Sequence, residues 1–328
     1  MHIPDGYLSP QTEIVFGAVM IPVWFKASRA TRKVVKSRYV PLVAIGAAFS
    51  FLVMMFNVPI PDGTTAHAVG GVLAYGANTF NMAFIAPMVG FAIYRLIAQR
   101  LPLTSPKRAL AAGLGAYIGL NAAALCAAIE FGVQPSLFHS ANGTPLYAPF
   151  HLSQTIPAML LAHLAVAGVV EFVITAGVVA YLQRANVPLL RINHPNAPVD
   201  ADTAMPRGRM RWRWALVGIG IMVVLTPLGL LAPGGTFGED KPGSLNLGKY
   251  GLKAVPVGLA KWNGFWRHAV LGGYGFSSGN HPVIGYLVSA VVGIVVISGV
   301  VLAIMGLLRV VERRKGGDVP DDVGTLTA

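Results

Sequence analysis

Cysteine and charge are both scarce in this chain. One of its 328 residues is a cysteine and 12% are charged, whereas 54% are hydrophobic and the mean hydropathy is +0.61. Soluble domains carry about 25% charged residues, so a soluble globule of this composition would aggregate. Cys126 alone cannot form an internal disulfide, which excludes a disulfide scaffold. The composition also excludes a disordered tail and a collagen, and it predicts an integral membrane protein.

Acidic residues are the scarcer of the two charge types, with 13 Asp and Glu against 25 Lys and Arg and a formal net charge of +12. A basic excess can indicate nucleic-acid binding. In a membrane protein it has another explanation, because basic residues are retained on the cytoplasmic side. The two explanations differ in where the basic residues lie along the chain.

Long apolar runs define the predicted membrane spans, because a helix needs about 20 apolar residues to cross about 30 Å of hydrocarbon. The first run, Ser9–Phe25, is marginal because it contains Glu13. No basic residue precedes it and no small-residue cleavage site follows, so we interpret it as a span and not as a signal peptide. The other six predicted spans are Tyr39–Phe56, Ala77–Tyr94, Ala109–Ile129, Thr155–Leu182, Trp214–Ala232 and Pro282–Leu308.

The basic residues follow the alternation of the loops. With seven spans, 20 of the 25 Lys and Arg lie on one side, in alternate loops and in the C-terminal tail. The other five lie in the long loop 233–281, and long loops largely escape the positive-inside rule. The pattern predicts an all-α integral membrane protein of about seven transmembrane helices in the plasma or inner membrane. Its N-terminus would be outside and its C-terminus cytoplasmic, and nucleic-acid binding loses its support.

The chain divides into two predicted units. Residues 191–206 are proline-rich and polar, which indicates a cytoplasmic linker. The first unit, 1–190, contains five spans. The second, 207–328, contains two spans around the outer loop 233–281, which we expect to pack against the outer face of the first unit.

Enzyme motifs such as those of zinc proteases or serine hydrolases do not occur in the sequence. A string that resembles a phosphate-binding loop, Gly243 to Lys249, is followed by Tyr250, where a Ser or Thr would be needed to hold Mg²⁺. We therefore predict a chain that is not an enzyme and that binds no nucleotide. Any ATP hydrolysis would then belong to a separate subunit.

Two histidines lie next to the two copies of a short repeat. Ile-Pro-Asp-Gly occurs at 3–6 and again at 60–63, with His2 just before the first copy and His67 shortly after the second. If Met1 is retained, its amine, the His2 amide nitrogen and the His2 imidazole can chelate one metal ion, and His67 could complete a plane of four nitrogens. Such a plane favours Ni²⁺ or Cu²⁺. The alternative is that both histidines are solvated surface residues.

Three motifs resemble the CbiM/NikM family, the substrate-binding membrane components of cobalt and nickel energy-coupling-factor transporters. They are Met1 to Pro10 (MHIPDGYLSP), Gly63 to His67 (GTTAH) and Gly76 to Ala83 (GANTFNMA). Residues 207–328 resemble the fused NikN-like or PDGLE-type domain of the same systems, through Thr226 to Pro233. One departure stands out: only Ala68–Gly76 separates His67 from Ala77, where relatives have a helical hairpin.

The resemblance implies that Met1, His2 and His67 hold Co²⁺ or Ni²⁺ as the transported substrate. It places Asn78 and Asn81 beside the metal, although polar packing between helices is an equal alternative for both. It also implies that the chain lies in the lipid bilayer and has two kinds of protein partner, a T-type transmembrane coupling subunit and a pair of ABC ATPase subunits. The sequence does not distinguish cobalt from nickel.

Two functional questions stay open at the level of sequence. Glu171 lies within a span, where a carboxylate is costly, and it either has a structural hydrogen-bond partner or takes part in coupling or ion passage. The chain could instead be a stand-alone secondary metal permease, but Glu171 and His163 are the only ionisable side chains that we expect deep within the spans. A third interpretation is a structural or sensory membrane protein without transport activity.

Overall fold

The fold was analysed in a computed structural model, which describes most but not all of the chain. The described residues are 3–34, 48–49, 57–60, 64–67, 76–185, 187, 190–191, 197–198, 212–231, 237–238, 240–263, 276 and 281–314.

Helices make up nearly all of the regular structure. Among the described residues, the one sheet is a short antiparallel hairpin of β1 (Asn57–Ile60) and β2 (Thr64–His67), in which Asn57 pairs with His67. The helices are α1 (Pro10–Val34), α2 (Gly76–Ala98), α3 (Pro106–Leu137), α4 (Leu152–Ala185), α5 (Trp212–Leu225), α6 (Val257–Trp262) and α7 (Pro282–Arg314).

Four of the described helices are long and apolar enough to cross a membrane: α2, α3, α4 and α7 up to Ile304. They coincide with four predicted spans. The apolar stretch Leu216–Leu228, which covers most of a fifth, is shorter, and the marginal first span forms the 25-residue helix α1. Apart from residues 48–49, the predicted span Tyr39–Phe56 lies outside the described residues. The prediction of a multi-spanning helical protein is therefore confirmed, while the count of seven stays a prediction.

The centre of the fold is a bundle of α2, α3 and α4, with α3 between the other two. Small residues allow the close approach of α2 and α3. A Cβ on Gly119 would overlap the backbone of Ala86, and one on Gly115 would overlap that of Gly90. Small residues at helix interfaces are typical of membrane bundles, where van der Waals packing drives association. Many outward-facing side chains of these helices are large, apolar and exposed, as a lipid-facing surface requires.

Two stretches of π-helix interrupt the bundle, Thr79–Ile85 in α2 and His163–Ala167 in α4. Such stretches are rare and are frequent at functional sites. The first begins next to Asn78, and the second begins at the buried His163. Both strands of the hairpin contact the second stretch.

The stretch between α5 and α7 packs on the bundle. Helices α5 and α7 share a small apolar cluster around Tyr286 and Ala290. Between them, residues 240–263 join the main core, to which they contribute Leu245 and Leu259. This stretch contains α6 and two short 3₁₀ turns. The division of the chain into two units and the outer position of loop 233–281 stay predictions.

Arg108 organises the end of the bundle opposite to the N-terminal segment. Its side chain is fully buried and donates hydrogen bonds to the carbonyls of Ala98, Leu101 and Pro102 and to the Tyr94 hydroxyl. A cation at the C-terminal end of a helix satisfies its last carbonyls and complements the helix dipole. Arg108 is one of the 20 basic residues that the sequence analysis placed on the cytoplasmic side. Because its side chain is buried, it cannot be part of a docking surface there.

Replacing Arg108 with Lys is expected to destabilise the protein, because a single ammonium cannot reach all four acceptors and would leave buried carbonyls unpaired. We expect a loss of about 3 kcal/mol, measured as a lower Tm in detergent. The control is Arg100→Lys, an exposed arginine of the same connection, which should leave the Tm unchanged. Equal Tm values for the two variants would contradict this role of Arg108.

Candidate metal-binding site

The N-terminal segment, residues 3–9, is buried at one end of the bundle. Ile3, Tyr7, Leu8 and Ser9 are each exposed by 3% or less. Tyr7 stacks on Phe150 and meets Phe131 edge-on, each with ring centroids 5.8 Å apart. A segment so buried must have its backbone polar groups paired. Side chains of α2 and α3 supply partners, and the Ala148 amide between α3 and α4 donates to the Tyr7 carbonyl at 2.9 Å.

The Asn78 side chain hydrogen-bonds to both backbone polar groups of Ile3. The Ile3 amide donates to Asn78 Oδ1 at 2.8 Å, and Asn78 Nδ2 donates to the Ile3 carbonyl at 2.8 Å. A primary amide carries both a donor and an acceptor on one planar group, so it satisfies both backbone groups of one buried residue. These two bonds fix the chain one residue after His2.

Glu13 holds the start of α2. Its Oε2 accepts a hydrogen bond from the Ala77 amide at 2.9 Å. Gly76 has φ +58, and a Cβ there would overlap the Glu13 carboxylate. Glycine meets both requirements of this position, the left-handed backbone and the close approach of the carboxylate. The sequence Gly-Ala-Asn thus brings Asn78 to Ile3.

Helix α3 supplies a second set of polar contacts. Gln134 Oε1 accepts from the Ser9 amide at 3.0 Å. Asn81 Nδ2 donates to Glu130 Oε2 at 2.7 Å, and both of these side chains are buried. The N-terminal segment and the first turns of α2 are therefore joined to α3 by side chains that are far apart in sequence.

The stretch between α5 and α7 covers part of the N-terminal segment. The Tyr7 hydroxyl donates to the Asp240 carbonyl at 2.7 Å. Gly6, at φ +88, lies so close to α6 that a Cβ would be 2.9 Å from the Leu259 carbonyl oxygen. The Gly258 amide in turn donates to the Leu146 carbonyl at 2.8 Å. The turn at Pro-Asp-Gly thus packs against α6 through Gly6, while Asp5 is exposed.

The predicted ligands are described only in part. Met1 and His2 lie outside the described residues, immediately before Ile3. The backbone of His67 ends β2, but its side chain is not described. Within the described ranges, no group of three or more His, Cys, Asp or Glu could hold a metal ion. The set Met1, His2 and His67 therefore stays a prediction, and so does the position of Asn78 and Asn81 beside the metal. Asn78 contacts Ile3, and Asn81 contacts Glu130.

Glu171 and His163 both interact within their own helix. Thr175 Oγ1 donates to Glu171 Oε1 at 3.4 Å, one turn along α4. His163 is buried, and its Nδ1 lies 2.7 Å from the Met159 carbonyl oxygen. The contact of Glu171 with a threonine is in line with the interpretation of a structural hydrogen-bond partner. The alternative of a coupling role is not tested by this contact.

Glu130 and Gln134 were missed by the sequence analysis. The predicted span ended at Ile129, whereas α3 continues to Leu137, so the expectation that only Glu171 and His163 lie deep in the spans is wrong. Hydropathy marks a carboxylate as the end of a span, but Glu130 is 5% exposed and hydrogen-bonded within the bundle. Its distance of 49 positions from Asn81 leaves no local signal that could have shown the pair.

Comparison with known proteins places the chain among metal transporters. A family model described as "Cobalt uptake substrate-specific transmembrane region" (CbiM) matches residues 2–75 and 68–189. A fused nickel transport protein NikMN of Rhodobacter capsulatus is 41% identical and covers 96% of this chain and 100% of its own length. A probable fused nickel transport protein LarMN of Lactiplantibacillus plantarum is 38% identical and covers 90% of this chain and 95% of its own. A cobalt transport protein CbiM of Clostridium cellulovorans is 28% identical over 30% of this chain.

Solved structures of transition metal transporters also match this chain. A crystal structure of a truncated transition metal transporter matches with TM-score 0.51 and 49% identity, over 56% of this chain and 99% of that one. A second transition metal transporter matches with TM-score 0.50 and 50% identity, over 56% of this chain and 93% of that one. The chain is a multi-pass membrane protein and a transport component rather than an enzyme, and it belongs to the CbiM family of cobalt uptake transmembrane proteins.

Proposed function

We propose that this chain captures Ni²⁺ or Co²⁺ at the outer face of the membrane for an ATP-driven transporter of the energy-coupling-factor type. The observation that carries the proposal is the fixed N-terminal segment, in which Asn78 holds both backbone groups of Ile3. Relatives with the same fused layout are named nickel transport proteins. The outer position is supported by the basic residues, which in the predicted seven-span topology lie mainly on the side opposite to the N-terminal segment.

The metal would be held by nitrogen atoms of Met1, His2 and His67. An amine, an amide nitrogen and an imidazole from adjacent residues form fused chelate rings, and a second imidazole completes the plane. Four nitrogens in a plane suit Ni²⁺. The two bonds of Asn78 to Ile3 support this site because they restrict where the preceding residue can lie. Asn78 and Asn81 would act by positioning the segment and not as ligands.

The first unit is also proposed to lack one helical hairpin after His67. Two observations support this. The family model matches in two pieces that meet at residues 68–75. The alignment with the Rhodobacter capsulatus relative covers 360 residues, 32 more than this chain contains. The proposed units are 1–190 and 207–328, joined by the linker 191–206.

The energy for release would come from a T-type membrane subunit and ABC ATPases, which would dock on the cytoplasmic basic loops. A stand-alone permease is the second candidate function. The buried position of Glu130 in α3 supports it, and the sequence analysis had not predicted this position. A permease driven by protons needs ionisable groups within the spans, and Glu130 adds one to Glu171 and His163.

Extending the chain by one residue before Met1 is expected to abolish high-affinity Ni²⁺ binding, because the amine becomes an amide. His2→Ala and His67→Ala should weaken binding by more than about 100-fold, since even partners beside a metal ligand contribute about 10–100-fold. Isothermal titration of the purified chain measures these affinities. A one-residue extension at the C-terminus is the control, and unchanged affinity in the N-terminally extended chain would contradict the proposed ligands.

Asn78→Leu is expected to weaken Ni²⁺ binding by about 10–100-fold, because it leaves the Ile3 amide and carbonyl without their partner. Asn121→Leu is the matched control, since the Asn121 amide donates to the Tyr117 carbonyl within α3. The measurement is the Ni²⁺ affinity of each variant, and the comparison is valid when the two variants have equal Tm values. Equal affinities for the two variants would show that Asn78 only fills space.

Transport assays separate the two candidates. Ni²⁺ uptake into proteoliposomes should require the T-type subunit, the ATPases and ATP, whereas an imposed proton gradient alone should drive none. Uptake by this chain alone under a proton gradient, without ATP, would instead establish the permease.

A further inference from the structure

Glu130 and Asn81 form a buried pair in which each side chain has one oxygen without a partner among the described residues. Asn81 is fully buried and Glu130 is 5% exposed. Asn81 Nδ2 donates to Glu130 Oε2 at 2.7 Å, while no described group donates to Asn81 Oδ1 or Glu130 Oε1. Burying a polar atom without a partner is costly, so two such atoms in one contact call for an explanation.

Among the described residues, the surroundings of Glu130 offer no positive charge. Its described hydrogen-bond partner is a neutral amide. The titratable groups described near it are Glu13 on α1 and Cys126 on its own helix, and both are acids. An isolated carboxylate in a low-dielectric site is strongly disfavoured relative to its neutral form.

One proton resolves both unpaired atoms. A protonated carboxyl group is a donor and an acceptor on one planar group, as a primary amide is. The two can form a ring in which the amide N–H donates to one carboxyl oxygen and the carboxyl O–H donates to the amide oxygen. The observed Nδ2–Oε2 bond is one half of this ring. The proton on Glu130 Oε1 would supply the other half.

We propose that Glu130 stores a proton shared with Asn81 in the metal-free protein and releases it when the metal ion binds at the N-terminal segment. Asn81 lies three residues after Asn78, which holds Ile3 next to the proposed ligand His2. A divalent cation at that place favours the ionised carboxyl through its charge. The part of the inference that concerns metal therefore rests on the proposed function.

The exchange balances in protons and charge. The O–H bond of Glu130 breaks, its electron pair stays on the carboxylate, and the proton passes to outer water. Metal binding also releases the His2 amide proton, because that nitrogen binds metal only when it is deprotonated. Glu130 thus adds one proton to those released by the ligands, and the negative charge that it leaves on α3 attracts the entering cation.

Infrared difference spectroscopy of the metal-free full chain tests the stored proton without any metal. Near neutral pH, the wild type should show a carbonyl band of a protonated carboxylic acid that Glu130→Gln removes and Glu171→Gln keeps. Gln at this position can form the same ring with Asn81, so the variant should fold. Asn81→Leu is a second variant, which should shift the band because the ring is broken. A wild-type band that Glu130→Gln leaves unchanged, or no band, would overturn the proposal.

Proton release on Ni²⁺ binding tests the link to metal. Titrations in buffers of different ionisation enthalpy should give about one more proton per Ni²⁺ for the wild type than for Glu130→Gln, while Glu171→Gln matches the wild type. Equal proton counts for wild type and Glu130→Gln would overturn this inference and leave the proposed metal site intact. Failure of the wild type to bind Ni²⁺ would instead refute the proposed function.

Discussion

The pair of hydrogen bonds between Asn78 and Ile3 is the constraint on which the functional end of the molecule depends. Ile3 is almost fully buried, and its amide and carbonyl must both be paired there. One side chain meets both needs. The left-handed backbone at Gly76 and the hydrogen bond from Ala77 to Glu13 place that side chain. A change at any of these residues reaches the N-terminal segment through Asn78.

Residues 240–263 close the same end of the bundle. They present α6 to Gly6 and a backbone carbonyl to Tyr7, so the N-terminal segment packs against this stretch as well as against α2 and α3. Part of the cover over the segment therefore comes from residues that are far from it in the sequence. Movement of the N-terminal segment would require the loop to move with it or to separate from it.

Sequence reasoning predicted the helical membrane architecture because apolar length and basic-residue placement are local properties. A family resemblance also indicated Asn78 and Asn81 as residues beside a metal ion, which stays a prediction. Sequence reasoning did not show Glu130 within α3, the burial of Arg108 or the partners of Gln134. Each depends on residues distant in the chain, such as Asn81 for Glu130 and Ser9 for Gln134. Hydropathy places the end of a span at a charged residue unless the buried partner of that residue is known. The sequence alone does not identify such partners.

The coordination of bound Ni²⁺ tests the central claim most directly. X-ray absorption spectroscopy of the Ni²⁺-loaded chain with its native N-terminus reports the number, type and geometry of the ligand atoms. The account predicts four nitrogen ligands in a plane, two of them imidazoles. An octahedral shell dominated by oxygen, or a spectrum that is unchanged in His2→Ala, would contradict it.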